Sequence, residues 1–81
     1  MTYVYLPESV RRPASRYVGR TRDLKRRLAD HNAGRSPHTA KDRPWKPVVI
    51  IRFDNDRRAE QFEQYMKSGS GHAFAMRHFW G

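Results

Sequence analysis

Three short apolar runs alternate with two stretches of helical spacing, and this rhythm sets the expected order of elements. The segment TYVYL (2–6) is aromatic and β-branched, the composition of a strand, and Pro7 is expected to end it. ESVRRPAS then forms a turn that carries Arg11 and Arg12. RYVGRT (16–21) is a second short strand, in which Gly19 marks a bulge or a close backbone approach. VVIIRF (48–53) is a continuous apolar run of the kind found at the centre of a sheet.

The first helix follows RYVGRT, with Thr21 as its N-cap, Asp23 in the first turn where the dipole favours an acid, and Gly34 as its stop. At roughly 100° per residue, Leu24 and Leu28 share one side, and Arg27 and His31 fall within the same arc. Arg22, Lys25, Arg26 and Asp30 occupy the other side. A second helix spans Asp56 to Lys67, capped by Asp54 or Asn55. Its apolar stripe is Ala59, Phe62 and Met66, and Glu63 lies inside that stripe while Glu60, Gln61 and Gln64 point away. After the linker SGSG (68–71), residues 72–79 form a short terminal helix whose Phe74 and Phe79 cover one edge of the core. The order is ββαβα plus a short helix. It predicts an α/β protein of the α+β type: a small, mainly antiparallel three-stranded sheet flanked by helices, in a single domain over 1–81.

Two inward-facing charges, Arg27 and Glu63, require a reason. They form a buried ion pair, or they lie at the edge of each stripe with their ends in water, or they serve a site. Tyr3, Tyr5 and Tyr17 lie on the two strands next to the helix that carries Arg27 and His31, which favours a site.

Charge narrows the partner. Seventeen Lys and Arg against eight Asp and Glu leave a net charge of +9 on 81 residues, a surplus suited to nucleic acid. No basic helix with a wide apolar face supports membrane binding, and no apolar run approaches the length of a span or a signal peptide, so a soluble, intracellular and cytoplasmic location is expected. The chain has no cysteine, which excludes disulfides and thiolate metal sites. His31, His38, His72 and His78 match no compact zinc spacing. Residues 34–47, GRSPHTAKDRPWKP, form a loop in which Arg35, Lys41, Arg43 and Lys46 are candidates for phosphate contact.

Tyr, Arg, His and Glu together are sufficient for one-metal phosphodiester hydrolysis. Arginine matches two phosphate oxygens with its planar fork, and one carboxylate plus waters is what Mg²⁺ accepts from a protein in phosphate chemistry. A tyrosine or histidine can take a proton from water.

The segments TYVYL, YVGRTRDLKRRLADHN, RPWKPVVII and RRAEQFEQYMKSGSG, in this order over about residues 2–75, resemble the GIY-YIG nuclease family. The likeness extends to its compact single-domain members, which are similar to the N-terminal nuclease module of the excision-repair endonuclease UvrC. The resemblance implies a Mg²⁺- or Mn²⁺-dependent DNA endonuclease, directed by DNA structure or only weakly selective for sequence. By position, Tyr5 matches the tyrosine ending the first triad and Tyr17 the one opening the second. Arg27 matches the helix arginine, His31 the histidine or tyrosine one turn later, and Glu63 the metal-binding glutamate. Arg20 stands where several members carry lysine, and with Thr21 it joins the expected DNA contacts. The first triad, Tyr3-Val4-Tyr5, lacks the family's leading glycine, and HAFAMRHFWG offers no asparagine beyond the glutamate helix. The competing expectation is a DNA- or RNA-binding module on the same fold that does not cut. A single metal site cuts one strand per visit, so breaking both strands of double-stranded or branched DNA would take two visits, a homodimer or a targeting partner.

Overall fold

The computed structural model describes residues 1–80. Strand β1 (Thr2–Ser9) is the middle of a three-stranded antiparallel sheet ordered β2-β1-β3, with β2 at Gly19–Thr21 and β3 at Trp45–Phe53. Helix α1 (Leu24–Asn32) lies between β2 and β3, and α2 (Asp56–Met66) and α3 (Gly69–Ala75) follow β3. A π-helical turn, Met76–Trp80, extends α3. The α+β expectation and its element order hold.

Strand β1 runs two residues beyond Pro7, contrary to expectation. Its pairing with β3 shifts register between Leu6 and Pro7, and Pro7 then stands opposite Pro47. Two residues that have no N–H face each other at the irregularity, so no ladder donor is stranded there. The VVIIRF run is likewise not central. It belongs to an edge strand, and Val48 and Ile50 are 40% and 46% exposed. A continuous apolar run records hydrophobicity but not which neighbour pairs with it, and β1 takes the central place by pairing on both sides.

Helix α1 is capped by Asp23, not Thr21. The Asp23 carboxylate accepts from Arg26 N–H at 3.1 Å, and the Thr21 hydroxyl accepts from Asp23 N–H at 3.1 Å, one step upstream. Gly34 closes the helix with φ of 79°, donating to His31 C=O while Arg35 donates to Asp30 C=O. Asn55 caps α2 by accepting from Arg58 N–H at 3.1 Å.

The expected SGSG linker is instead the start of α3: the Ser68 hydroxyl accepts from Gly71 N–H at 3.2 Å. A Cβ on Gly71 would stand 1.9 Å from the Tyr65 carbonyl oxygen, so glycine is what permits α3 to turn this closely off α2. Within 34–47, Ala40–Asp42 form a 3₁₀ turn and 45–47 belong to β3. The core lies on one face of the sheet, where Val4, Leu6, Ala59, Met66 and Ala75 are buried and Phe62, Phe79 and Trp80 pack around them. Among the described residues no helix is long and apolar enough to cross a membrane.

Candidate active site

Side chains alternate along a strand, so when Val4 and Leu6 enter the core, Tyr5 faces the other way. There it meets Tyr17 and His31, and Tyr17 in turn meets Trp45. The Tyr5 and Tyr17 rings are edge-to-face at 6.0 Å, Tyr17 and His31 lie 5.2 Å apart, and Tyr17 meets Trp45 edge-on at 5.0 Å. Trp45 is fixed from two sides. Its indole N–H donates to Thr39 C=O at 2.9 Å, and its backbone N–H donates to the Asn32 side chain, whose amide donates back to Trp45 C=O. Asn32, next to His31, thereby ties the end of α1 to the start of β3.

A hydrogen-bond chain holds the His31 ring. Thr39 Oγ1 donates to Ser36 C=O at 3.4 Å and lies 2.8 Å from His31 Nδ1, while His31 Nε2 is 3.2 Å from the Tyr5 hydroxyl. Both ring nitrogens thus have a hydroxyl partner, Thr39 at Nδ1 and Tyr5 at Nε2, in either tautomer. Burial, and then the charge of Arg27, lower the His31 pKa below its ordinary value, with Asp30 opposing them, so the ring rests neutral. The Tyr17 hydroxyl is buried with no hydrogen-bond partner among the described residues. Burial, and then the neighbouring Tyr5, push its pKa well above that of an ordinary phenol.

All five residues expected to act in catalysis, Tyr5, Tyr17, Arg27, His31 and Glu63, line one cavity of about 420 Å³. Arg27 was expected on the oily side of α1. Its side chain is exposed and lines this cavity, and among the described residues it has no carboxylate partner. Neither buried pairing with Glu63 nor a place in the core accounts for it. Glu63 approaches from α2 with 15% of its side chain exposed, 3.0 Å from Lys67 Nζ and 3.8 Å from Arg20 Nε. No group of three or more His, Asp or Glu side chains converges among the described residues. A single half-buried carboxylate at a cavity fits a hydrated Mg²⁺ or Mn²⁺ that takes its remaining ligands from water and phosphate. Lys67 and Arg20 hold that carboxylate in place.

The expected DNA contacts are dispersed. Arg20 lines the cavity and also pairs with Glu60 at 3.2 Å. Thr21 turns its hydroxyl to the Asp23 backbone, outside the cavity. Arg35 pairs with Asp30 at 2.7 Å and Lys46 with Glu8 at 4.0 Å. Lys41 is exposed, and the Arg43 guanidinium lies against Gly34 while donating to Ala40 C=O at 2.9 Å.

Sequence reasoning missed Thr39, Lys67 and the clamp on Trp45. Thr39 follows His31 across an irregular loop, so no periodicity could join them. Lys67 was legible as the i+4 neighbour of Glu63. Gly19 is the close approach expected of it: it stands opposite Tyr5 in the sheet, and a Cβ there would lie 2.4 Å from Tyr5 Cζ.

The model of the GIY-YIG catalytic domain matches residues 1–75. The chain belongs to the GIY-YIG family. As a member it is a GIY-YIG-type nuclease domain. It is also similar to structure-specific endonuclease subunit SLX1 of Candida dubliniensis, 39% identical over 93% of this chain and 27% of that protein. The slx1 subunit of Talaromyces marneffei is 43% identical over 73% of this chain and 17% of its own length, and that of Ajellomyces capsulatus is 43% identical over 73% and 15%. The chain therefore spans about a quarter or less of these curated relatives.

Proposed function

We propose that this chain is a divalent-metal-dependent endonuclease that hydrolyses phosphodiester bonds in branched or otherwise locally structured DNA with little base-sequence preference. The observation that carries the reading is the convergence of the Tyr5–His31 pair, an unpaired Arg27 and Glu63 on one cavity. The name of the SLX1 relatives, structure-specific endonuclease subunits, supports the substrate class and a second chain that supplies targeting. A role in DNA repair or recombination follows from that class.

Tyr5 takes the proton of the attacking water while its own proton passes to His31 Nε2, the relay using the tautomer in which Nδ1 donates to Thr39 Oγ1. Tyr17 keeps its proton and donates to an oxygen in the cavity, satisfying an otherwise orphaned hydroxyl. Arg27 spans two phosphoryl oxygens with its fork and stabilises the charge that builds on them. Glu63 would hold the divalent ion, which would supply polarisation of the phosphate and stabilisation of the leaving oxygen. Lys41 and Arg43, which have no carboxylate partner among the described residues, hold flanking phosphates together with Arg20, Thr21, Arg35 and Lys46.

The test is incubation of the chain with supercoiled plasmid and with branched DNA in Mg²⁺, Mn²⁺ or EDTA. Nicking that requires metal is expected, with Tyr5→Phe slowed by about a hundredfold or more, the usual range for a lost acid–base group. Tyr17→Phe should be slowed less. Tight DNA binding without any cutting identifies a non-catalytic binding module instead.

A further inference from the structure

A second hollow of about 890 Å³ adjoins the catalytic cavity and shares Arg16, Tyr17, Val18 and Lys67 with its wall. Its far side is built by the last turn of the chain, chiefly Met76 and Trp80. Among the described residues no acid lines it, whereas Arg16, Lys67 and His72 do. Arg16 is held in place by three neighbours. Its guanidinium carbon is 5.0 Å from the centre of the Trp80 ring, its Nε donates to Pro13 C=O at 3.0 Å, and the Glu8 carboxylate lies 3.4 Å away. An arginine fixed over an indole is a preformed platform for a flat π-system.

We infer that this hollow is a subsite for one unpaired nucleotide adjacent to the scissile phosphate. The inference rests on the DNA-cleavage reading above and adds to it a means of telling branched DNA from plain duplex. A DNA strand crossing the catalytic cavity passes its next nucleotide along the shared wall. The base of a paired nucleotide is hidden in the stack, whereas an unpaired base is free to leave it. Apolar walls and the Arg16 guanidinium backed by Trp80 suit the base, and the basic rim suits its phosphate. The volume lies in the range of pockets that enclose small ligands.

The experiment places 2-aminopurine at the first unpaired position of a flapped duplex, or inside a blunt duplex of equal length, and titrates the 81-residue chain without metal. Binding is expected to change the fluorescence of the flap probe only, with tighter affinity for the flap. Trp80→Ala, which removes the ring that backs the Arg16 guanidinium, should lower the flap-over-duplex preference by roughly five- to a hundredfold, the range for one lost stacking platform, and Trp80→Phe should restore most of it. Met76→Glu is the second variant: Met76 is 45% exposed, so the fold tolerates the change while a negative charge enters the hollow. It should lower the preference in the same direction.

If folded Trp80→Ala and Met76→Glu keep both the signal and the preference, the inference is overturned, as it also is if the hollow serves a partner polypeptide. The two readings separate cleanly. A chain that shows the flap signal but cuts nothing with Mg²⁺ or Mn²⁺ retains the subsite and loses the nuclease reading. A chain that cuts but shows no flap signal does the reverse.

Discussion

Strand β1 serves two environments at once: Val4 and Leu6 enter a face closed by α2 and α3, while Tyr5 enters a face shared with Tyr17, His31 and Trp45. On the closed face the buried side chains are aliphatic or small, and their stability comes from removing apolar area from water, about 1.5–3 kcal/mol for a Leu-sized side chain. On the other face the buried polar groups of His31, Thr39 and Trp45 are each matched to a specific partner, whereas the Tyr17 hydroxyl has none among the described residues. Polar burial of that kind costs stability and is retained where a ligand completes it. One strand thus serves the core through Val4 and Leu6 and the candidate site through Tyr5.

The largest effect that tests this division is at Glu63, which reaches the site from a helix belonging to the closed face. Glu63→Gln is expected to abolish metal-dependent cleavage with the melting temperature unchanged within a few degrees. Glu60→Gln, on the exposed side of the same helix, should remain active. Substantial cutting by Glu63→Gln, measured by plasmid nicking, removes Glu63 from the metal role.

Next in size is the contrast within α1. Arg27→Ala should cost more than about a hundredfold in turnover, as when a preorganised transition-state contact is lost. Arg26→Ala should only weaken binding and reduce the salt-dependence slope by about one. Equal behaviour of the two would mean that the direction each side chain faces on α1 is irrelevant.

A glycine on each face sharpens the contrast. Gly19→Ala drives a Cβ into the end of the Tyr5 ring and should slow cleavage by about a hundredfold through misplacement of that ring. Gly71→Ala drives a Cβ into the Tyr65 backbone and should instead destabilise the fold by about 1–3 kcal/mol, the cost of overpacking. Thermal melts and single-turnover rates on both variants separate the two losses. If both variants lose stability and keep their rates, the division between faces fails.

The smallest effect is a pH dependence. The folded-state pKa of His31 lies below its ordinary value of 6.5, so below that pH the unfolded chain binds more protons than the folded one. Stability should therefore be level above this value and fall as pH drops through it toward the lowered value. His31→Gln should flatten that segment of the curve, as read by chemical denaturation at stepped pH. An unchanged slope in His31→Gln would place the dependence on other groups.

Much of this molecule was legible in order and spacing alone. Helical periodicity singled out Arg27, His31 and Glu63, because that period is a local property of the backbone, and the neighbouring strand segments pointed to Tyr5 and Tyr17, although the second strand begins only at Gly19. The N-cap at Asn55 and the stop at Gly34 are local in the same sense. The tertiary structure decided what depends on partners distant in the chain. It made VVIIRF an edge strand, because β1 and not β3 pairs on both sides. It carried β1 past Pro7 by setting Pro47 opposite, and it turned SGSG into the start of a helix by packing Gly71 against Tyr65. The partner of His31 Nδ1 was decided in the same way, by a threonine that an irregular loop brings back to the ring. Spacing constrains only neighbours a few residues away. Pairing order, close backbone contacts and hydrogen-bond direction arise when segments far apart in sequence meet.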